Sequence, residues 1–162
     1  DMNLNGVNLS KACLIGVNFT NTNLCYANLS DANFYNTDFW RANLENANFE
    51  NANLKGVFFQ NANLDSVNLK NADLEYAYVE NANLCSANFK NANLHNTDFY
   101  GADLENANFE NANLKNADIR EAIHIPYIPM NLPDGEFIGW KRLPNELIAK
   151  LKILQDSELT PL

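Results

Sequence analysis

The 162-residue chain is acidic, with 20 Asp and Glu against 11 Lys and Arg and a formal net charge of −9. This balance argues against direct binding of nucleic acid, which needs a basic surface. The sequence holds no stretch of the roughly 20 apolar residues that a membrane span requires, and it opens with neither a basic nor an apolar targeting segment. We therefore expect a cytoplasmic protein that binds neither membrane nor nucleic acid.

A five-residue phrase repeats without insertion from Met2 to Glu121, in 24 copies. Its centre is Leu, Phe, Val or Ile, and the residue two places earlier is small in nearly every copy. Between them stands Asn or Asp in all copies except those with Cys13, Phe58 and Tyr78. Helices repeat about every 3.6 residues and strands every two, so neither keeps the centres on one side. The phrase predicts a solenoid that turns one corner per pentad and buries its apolar side by stacking.

The central residues also show a longer period of four pentads. Every fourth centre falls in one column. One column is purely leucine: Leu4, Leu24, Leu44, Leu64, Leu84 and Leu104; another is mostly phenylalanine: Phe19, Phe39, Phe59, Val79, Phe99 and Ile119. Identical residues stack on each other when they lie on neighbouring strands about 4.8 Å apart. We infer that four pentads close one coil and that about six coils form a rod roughly 29 Å long.

The phrase Ala42-Asn43-Leu44-Glu45-Asn46 resembles that of the pentapeptide repeat proteins, and the likeness covers about three quarters of the chain. The resemblance implies an all-β fold, a right-handed quadrilateral parallel β-helix. In that fold the small and central residues point inward, and the other three positions of each pentad point outward.

No pattern in the sequence is typical of an enzyme, a metal site or a cofactor site. The three cysteines, Cys13, Cys25 and Cys85, have neither metal-ligand spacing nor an even number for disulfides, which indicates reduced thiols. His95 falls in an outward column of alternating charge, without a nucleophile or a third group to orient it. We expect a protein with no catalytic residues, no metal and no cofactor.

The repeat region is the acidic part of the chain, with 15 Asp and Glu against seven Lys and Arg up to Glu121. Some members of the resembled family protect DNA topoisomerases from quinolones by imitating duplex DNA. The resemblance therefore implies an alternative role, an acidic DNA mimic that binds a type II topoisomerase through Glu45, Glu50, Glu105 and Glu110. Duplex DNA carries one charge per ~1.7 Å, or about 17 over this length, and the rod has about half that density.

A stripe of four aromatic residues, the aromatic stripe, lies on the face of the phenylalanine-rich column. Phe58 and Tyr78 stand where the phrase has Asn or Asp, on adjacent coils, and Trp40 and Tyr100 flank them on the coils either side. Contiguous exposed apolar surface usually marks a contact site, and Trp and Tyr are common anchors of interfaces. We predict that the stripe is covered by a protein partner, by a second copy or by the chain's own tail.

The phrase ends at Glu121, so we divide the chain into a repeat domain, 1–121, and a C-terminal tail, 122–162. The next centre would be His124, which is costly to bury. Three prolines in the run Pro126–Pro133 predict an extended, non-helical passage.

Two apolar runs follow, Glu136–Leu143 and Glu146–Leu154. Their imperfect alternation favours a β-hairpin, and a short helix that starts at Asn145 is the competing interpretation. The segment Glu136–Lys141, followed by Ile148–Leu151, also resembles a small I-G-W-K … I-V-K-L module that trails pentapeptide repeats in some bacterial and phage proteins.

The tail is predicted to cap the rod, because a bare last coil would expose strand edges and apolar side chains. The residues for such a cap are Ile123, Ile125, Tyr127, Ile128, Phe137 and Trp140. Nothing comparable precedes Leu4, so we expect either association at that end or further sequence upstream.

Together these features predict a non-catalytic scaffold for protein–protein interaction with an unidentified protein partner. A homodimer through the C-terminal tail or the aromatic stripe is a further option.

Overall fold

The structure, a computed structural model, describes residues 2–126, 136–142 and 148–154. The chain divides into two compact units, Asp1–Pro129 and Met130–Leu162. Within the described ranges, no helix is long and apolar enough to cross a membrane.

The first unit is a right-handed quadrilateral β-helix, the fold that the resemblance to the pentapeptide repeat proteins implies. The residue before each centre pairs in parallel with its equivalent four pentads further along, from the pair Asn3–Asn23 to the pair Asp103–Ile123. Because the shift is four pentads, each coil has four sides. The pairing runs through six coils without a gap and confirms the predicted coil length.

Each corner of a coil is a tight turn built by polar residues of the phrase. At the first corner, the Val7 amide donates a hydrogen bond to the Leu4 carbonyl at 3.1 Å, and Gly6 between them has a φ of 66°. A positive φ at this place in a turn favours Gly or Asn, and these two residues occupy most of the corners. The side-chain oxygen of Asn3 accepts the amide of Asn5 at 3.1 Å and fixes the approach to the corner.

Hydrogen bonds join each coil to the next at three places per pentad. The Leu24 amide donates to the Asn43 carbonyl at 2.7 Å, and the Asn43 amide donates back to Thr22 at 2.9 Å. At the corner, the Tyr26 amide donates to the Glu45 carbonyl at 2.9 Å. Asparagine side chains add outer ladders, such as the bond from Asn63 to Asn43 at 3.0 Å.

The core lies inside the coils and consists of the small and central residues, as predicted. Phenylalanine rings of one column stack from coil to coil, with centroids 5.2 Å apart for Phe19–Phe39 and again for Phe39–Phe59. Central residues are fully buried in the middle coils, whereas Leu4 and Leu9 of the first coil are only partly buried. The difference arises because the first coil has one neighbour and a middle coil has two.

The second unit contains two antiparallel strands, β1 (Glu136–Arg142) and β2 (Ile148–Leu154). Glu136 lies opposite Leu154, and Arg142 lies opposite Ile148. The strands confirm the β interpretation of the tail over the helix from Asn145.

The β-helix stops where the phrase stops. The side chain of His124 is 51% exposed, and its Nδ1 lies 2.9 Å from Asp103 Oδ1 rather than in the core. Ile123 is half exposed, and Ile125 is partly buried. The proposed cap residues Tyr127 and Ile128 lie outside the described residues, so the capping role of the tail stays a prediction.

Candidate functional site

The aromatic stripe contains a stacked pair of rings on the outer surface. Phe58 and Tyr78 hold the same place in the phrase on adjacent coils, and their backbones pair directly. Their ring centroids are 5.2 Å apart, and their planes differ by only 4°. The two side chains are nonetheless 36% and 42% exposed, so one edge of the stack meets solvent.

The other two residues of the stripe extend this apolar surface along the rod. Tyr100 is 44% exposed, and Trp40 is partly buried. The Arg41 guanidinium lies over the Trp40 ring, with its carbon atom 4.1 Å from the ring centroid. Such contacts between a cation and an aromatic ring are attractive, so the stripe already holds one guanidinium of its own chain.

An open depression lies beside the ring stack. It is lined by Asp38, Trp40, Phe58, Gln60 and Asn61. The Trp40 backbone amide donates a hydrogen bond to Asp38 Oδ1 at 2.8 Å, which holds the carboxylate in place. Two aromatic residues, one acidic residue and two amide residues therefore line one shallow, open depression on the predicted face.

A partly buried carboxylate, Glu80, lies on the same face between Gln60 and Tyr100. Its Oε2 is buried and accepts no hydrogen bond from the described residues. Burial raises the pKa of Glu80, and the charge of Asp98 raises it further, while hydrogen bonds from its own backbone amide and from the Gln60 side chain lower it. The stripe thus includes a carboxylate whose charge is poorly compensated, a feature that the sequence pattern does not predict.

The four glutamates proposed for a DNA mimic lie on two faces of the β-helix. Glu50 pairs with Lys70 at 2.9 Å, and Glu110 pairs with Lys90 at 2.8 Å. The remaining two, Glu45 and Glu105, share a column on the neighbouring face. Sequence reasoning missed the lysine partners, although the four-pentad period places each lysine one coil from its glutamate.

The outward column that contains His95 forms the predicted ladder of alternating charge. Glu75 accepts hydrogen bonds from both neighbouring coils. Lys55 Nζ donates at 2.8 Å, and His95 Nδ1 donates at 3.1 Å. These two contacts lower the pKa of Glu75, with Lys55 contributing more. The ladder joins three coils and contains no nucleophile.

The cysteines are free thiols, with Cys13 exposed, Cys25 buried and Cys85 partly buried. Burial raises the pKa of Cys25 and Cys85, which disfavours the reactive thiolate. Across the described residues, no group of three or more His, Cys, Asp or Glu is arranged to hold a metal ion.

Sequence comparison agrees with the coil geometry. A family profile described as a pentapeptide repeat region matches residues 42–119, and one described as pentapeptide repeats (8 copies) matches residues 3–41. The chain belongs to the pentapeptide repeat proteins. No curated protein sequence matches it significantly.

Several solved structures of pentapeptide repeat proteins resemble the chain. Rfr23 from the cyanobacterium Cyanothece 51142 is 32% identical, with 73% of this chain and 88% of that chain covered and a TM-score of 0.31. HetL from Nostoc sp. strain PCC 7120, involved in heterocyst differentiation regulation, is 19% identical, with coverages of 76% and 90% and a TM-score of 0.27. A trypsin-treated form of QnrB1, a plasmid-mediated fluoroquinolone resistance protein, is 21% identical, with coverages of 75% and 68% and a TM-score of 0.39.

Proposed function

We propose that this pentapeptide repeat protein is a non-catalytic cytoplasmic scaffold that binds a protein partner through the aromatic stripe. The observation that carries the proposal is the exposed stack of Phe58 on Tyr78. Most other copies of the phrase have Asn or Asp at this place, and several of them form hydrogen-bonded ladders there, as Asn43 and Asn63 do.

The fold does not require aromatic residues at these two positions. A stacked pair contributes about 0.5–1.5 kcal/mol beyond its buried area, whereas each Asn-to-Asn bond contributes about 1 kcal/mol. Apart from the area that the rings bury, the stacked pair and the ladder therefore stabilise the fold by similar amounts. The stacked pair places apolar surface in water, which a contact would cover, and large aromatic side chains are typical hot spots of protein interfaces.

A pull-down with two matched variants tests the proposal. The stripe variant combines Trp40→Ala, Phe58→Asn, Tyr78→Asn and Tyr100→Ala. The control variant removes exposed tyrosines elsewhere on the β-helix, by Tyr26→Ala, Tyr35→Ala and Tyr76→Ala. We expect the wild type and the control to capture the same protein at low and moderate salt, and the stripe variant to lose it by about 30-fold or more.

Equal capture by the stripe variant and the control would overturn the proposed contact site. Sedimentation measures the oligomeric state of the two variants. If the partner is a second copy of the chain, the stripe variant should be a monomer and the control variant a dimer.

The acidic surface supports a second candidate, a DNA mimic that binds a type II topoisomerase. The net charge of −9 favours it, but Lys70 and Lys90 neutralise two of the four glutamates on which it rests. A mimic held by charge would bind much more weakly as salt increases. Capture of a topoisomerase only at low salt, equally by the wild type and the stripe variant, would favour this candidate over the scaffold.

A further inference from the structure

We propose that the partner inserts an arginine side chain into the depression between Trp40 and Phe58. The inference rests on the proposed function, and it specifies the chemistry of the group that docks on the aromatic stripe. The depression combines aromatic rings with the Asp38 carboxylate, and this is the pairing that a guanidinium recognises.

The aromatic part of the site suits a flat cation. A guanidinium stacks on an aromatic face, and its attraction is about 0.5–1 kcal/mol at exposed sites and about 2 kcal/mol when water is excluded. The structure contains one example of this contact on the stripe, where Arg41 covers one face of Trp40 at 4.1 Å. An arriving guanidinium would therefore use Phe58 or the opposite face of Trp40. Phe58 is the second aromatic residue that lines the depression.

The carboxylate part of the site is oriented before a ligand arrives. The Trp40 amide already holds Asp38 Oδ1 at 2.8 Å. A carboxylate has about four lone-pair positions, so Asp38 retains acceptor capacity for the paired N–H groups of a guanidinium. Gln60 and Asn61 also line the depression. Lysine presents a single compact charge and would use this flat, paired arrangement less well.

The charge of the whole stripe favours a cation. Asp38, Glu80, Asp98 and Asp118 lie on this face, and Arg41 and Arg120 are the cations beside them. Arg120 pairs with Asp118 at 2.6 Å, so the face keeps an excess of negative charge. Glu80 has a buried oxygen without a donor among the described residues, and burial raises its pKa. An arriving positive charge would stabilise the ionised form of Glu80, so the face gains from cation binding in a way that a neutral apolar partner would not provide.

The test is a titration of the full chain, labelled with ¹⁵N, with three capped peptides that differ at one position. The peptides are Gly-Gly-Arg-Gly-Gly, its lysine analogue and its neutral citrulline analogue. With the arginine peptide we expect saturable changes in the NMR chemical shifts of the Trp40 indole N–H and of the Gln60 and Asn61 side-chain amides. The citrulline peptide should give no saturable shift, and the lysine peptide should bind at least about threefold more weakly.

Two matched substitutions separate the site from the general acidity of the chain. Asp38→Asn restores the ordinary residue of the phrase and keeps an acceptor for the Trp40 amide, so the coil is retained. Asp65→Asn removes the same charge from another face. We expect Asp38→Asn to weaken arginine binding at least about fivefold, and Asp65→Asn to weaken it by less than about twofold.

Three results would each overturn the arginine site. The first is chemical-shift changes spread over all acidic faces. The others are an equal loss of arginine-peptide affinity in Asp38→Asn and Asp65→Asn, and equal affinity for the citrulline peptide. The proposed function fails separately, when the stripe variant keeps its protein partner. If the stripe variant loses the partner while Asp38→Asn retains it, the scaffold function stands and the arginine site is wrong.

Discussion

Asparagine occupies two positions of the repeat, and each has its own physical reason. Before the centre, its side-chain oxygen accepts the amide two residues on, as Asn3 does from Asn5. At the corner, its backbone tolerates a left-handed conformation, as in Asn106 with a φ of 57°. Sequence reasoning predicted that both positions face outward. It did not predict the left-handed corner, although the frequent Asn and Gly at that position were a signal for it.

The least compensated carboxylate, Glu80, could not be predicted from its place in the phrase. Glu45 and Glu105 also follow a centre, yet the described residues leave a buried, unpaired oxygen only on Glu80. The groups that act on Glu80 are Gln60, one coil earlier, and the charge of Asp98. Such burial depends on side-chain conformations that a repeat pattern does not specify.

Replacing Glu80 by Gln is expected to stabilise the protein at neutral pH. Because burial raises the pKa of Glu80 above its ordinary value of 4.5, the folded state holds this proton more tightly than the unfolded state. The resulting stability is fully present below the unfolded pKa and is lost as pH rises through the folded pKa. We expect Glu80→Gln to raise the free energy of unfolding by on the order of 1 kcal/mol at pH 7. The increase should become smaller towards pH 4, and urea unfolding at the two pH values measures it.

The exposed Glu105→Gln provides the control, because it removes the same charge without relieving a buried oxygen. An equal gain in both variants would show that general charge repulsion, and not burial of Glu80, is the cause.

At the scale of one coil, the columns of the sequence carry most of the structural information. The leucine and phenylalanine columns predicted the four-sided coil, and the stacking of Phe39 on Phe59 at 5.2 Å shows the same columns in the core. The outward columns hold equivalent information about ion pairs. Glu50 and Lys70 are one coil apart in sequence, and this spacing is enough to predict their ion pair. The net charge without the spacing instead predicts an acidic surface at Glu50.

Truncation of a central residue should cost more in a middle coil than at the first coil. Leu64 is fully buried between two neighbouring coils, whereas Leu9 is only partly buried. We expect Leu64→Ala to lower the free energy of unfolding by about 2–5 kcal/mol, the usual range for large core truncations. Leu9→Ala should cost less than half as much in the same denaturant experiment. Equal costs would contradict the view that stacking on both sides stabilises the middle coils.

At the scale of the whole molecule, the β-helix is a linear array in which each coil contacts only its neighbours. Stability in such arrays is approximately a sum of coil and interface contributions. The middle of the array is bonded on both sides by the backbone ladder, and the first coil on one side. The sequence predicted this array and the strands of the tail. That the tail caps the last coil stays a prediction, because it depends on residues outside the described ranges.

Amide hydrogen exchange should therefore vary along the array. We expect the slowest exchange in residues 42–104 and markedly faster exchange in residues 2–20, because end coils open without breaking the middle. Backbone amides that donate to the next coil, such as Leu44 to Asn63 at 2.7 Å, report this directly. Uniform protection from one end to the other would instead indicate a single cooperative unit.

The closure of each coil after four pentads also constrains how such a chain can change in length. An insertion of one pentad keeps the core in phase, but it moves every later outward residue to the next face and would separate Phe58 from Tyr78 if it fell between them. An insertion of four pentads leaves every side chain on its face and only lengthens the rod. Surface patterns that extend over several coils can therefore survive insertions and deletions only in whole coils. This rule is consistent with the recurrence of Asn-Thr-Asp-Phe three whole coils apart, at 36–39 and 96–99.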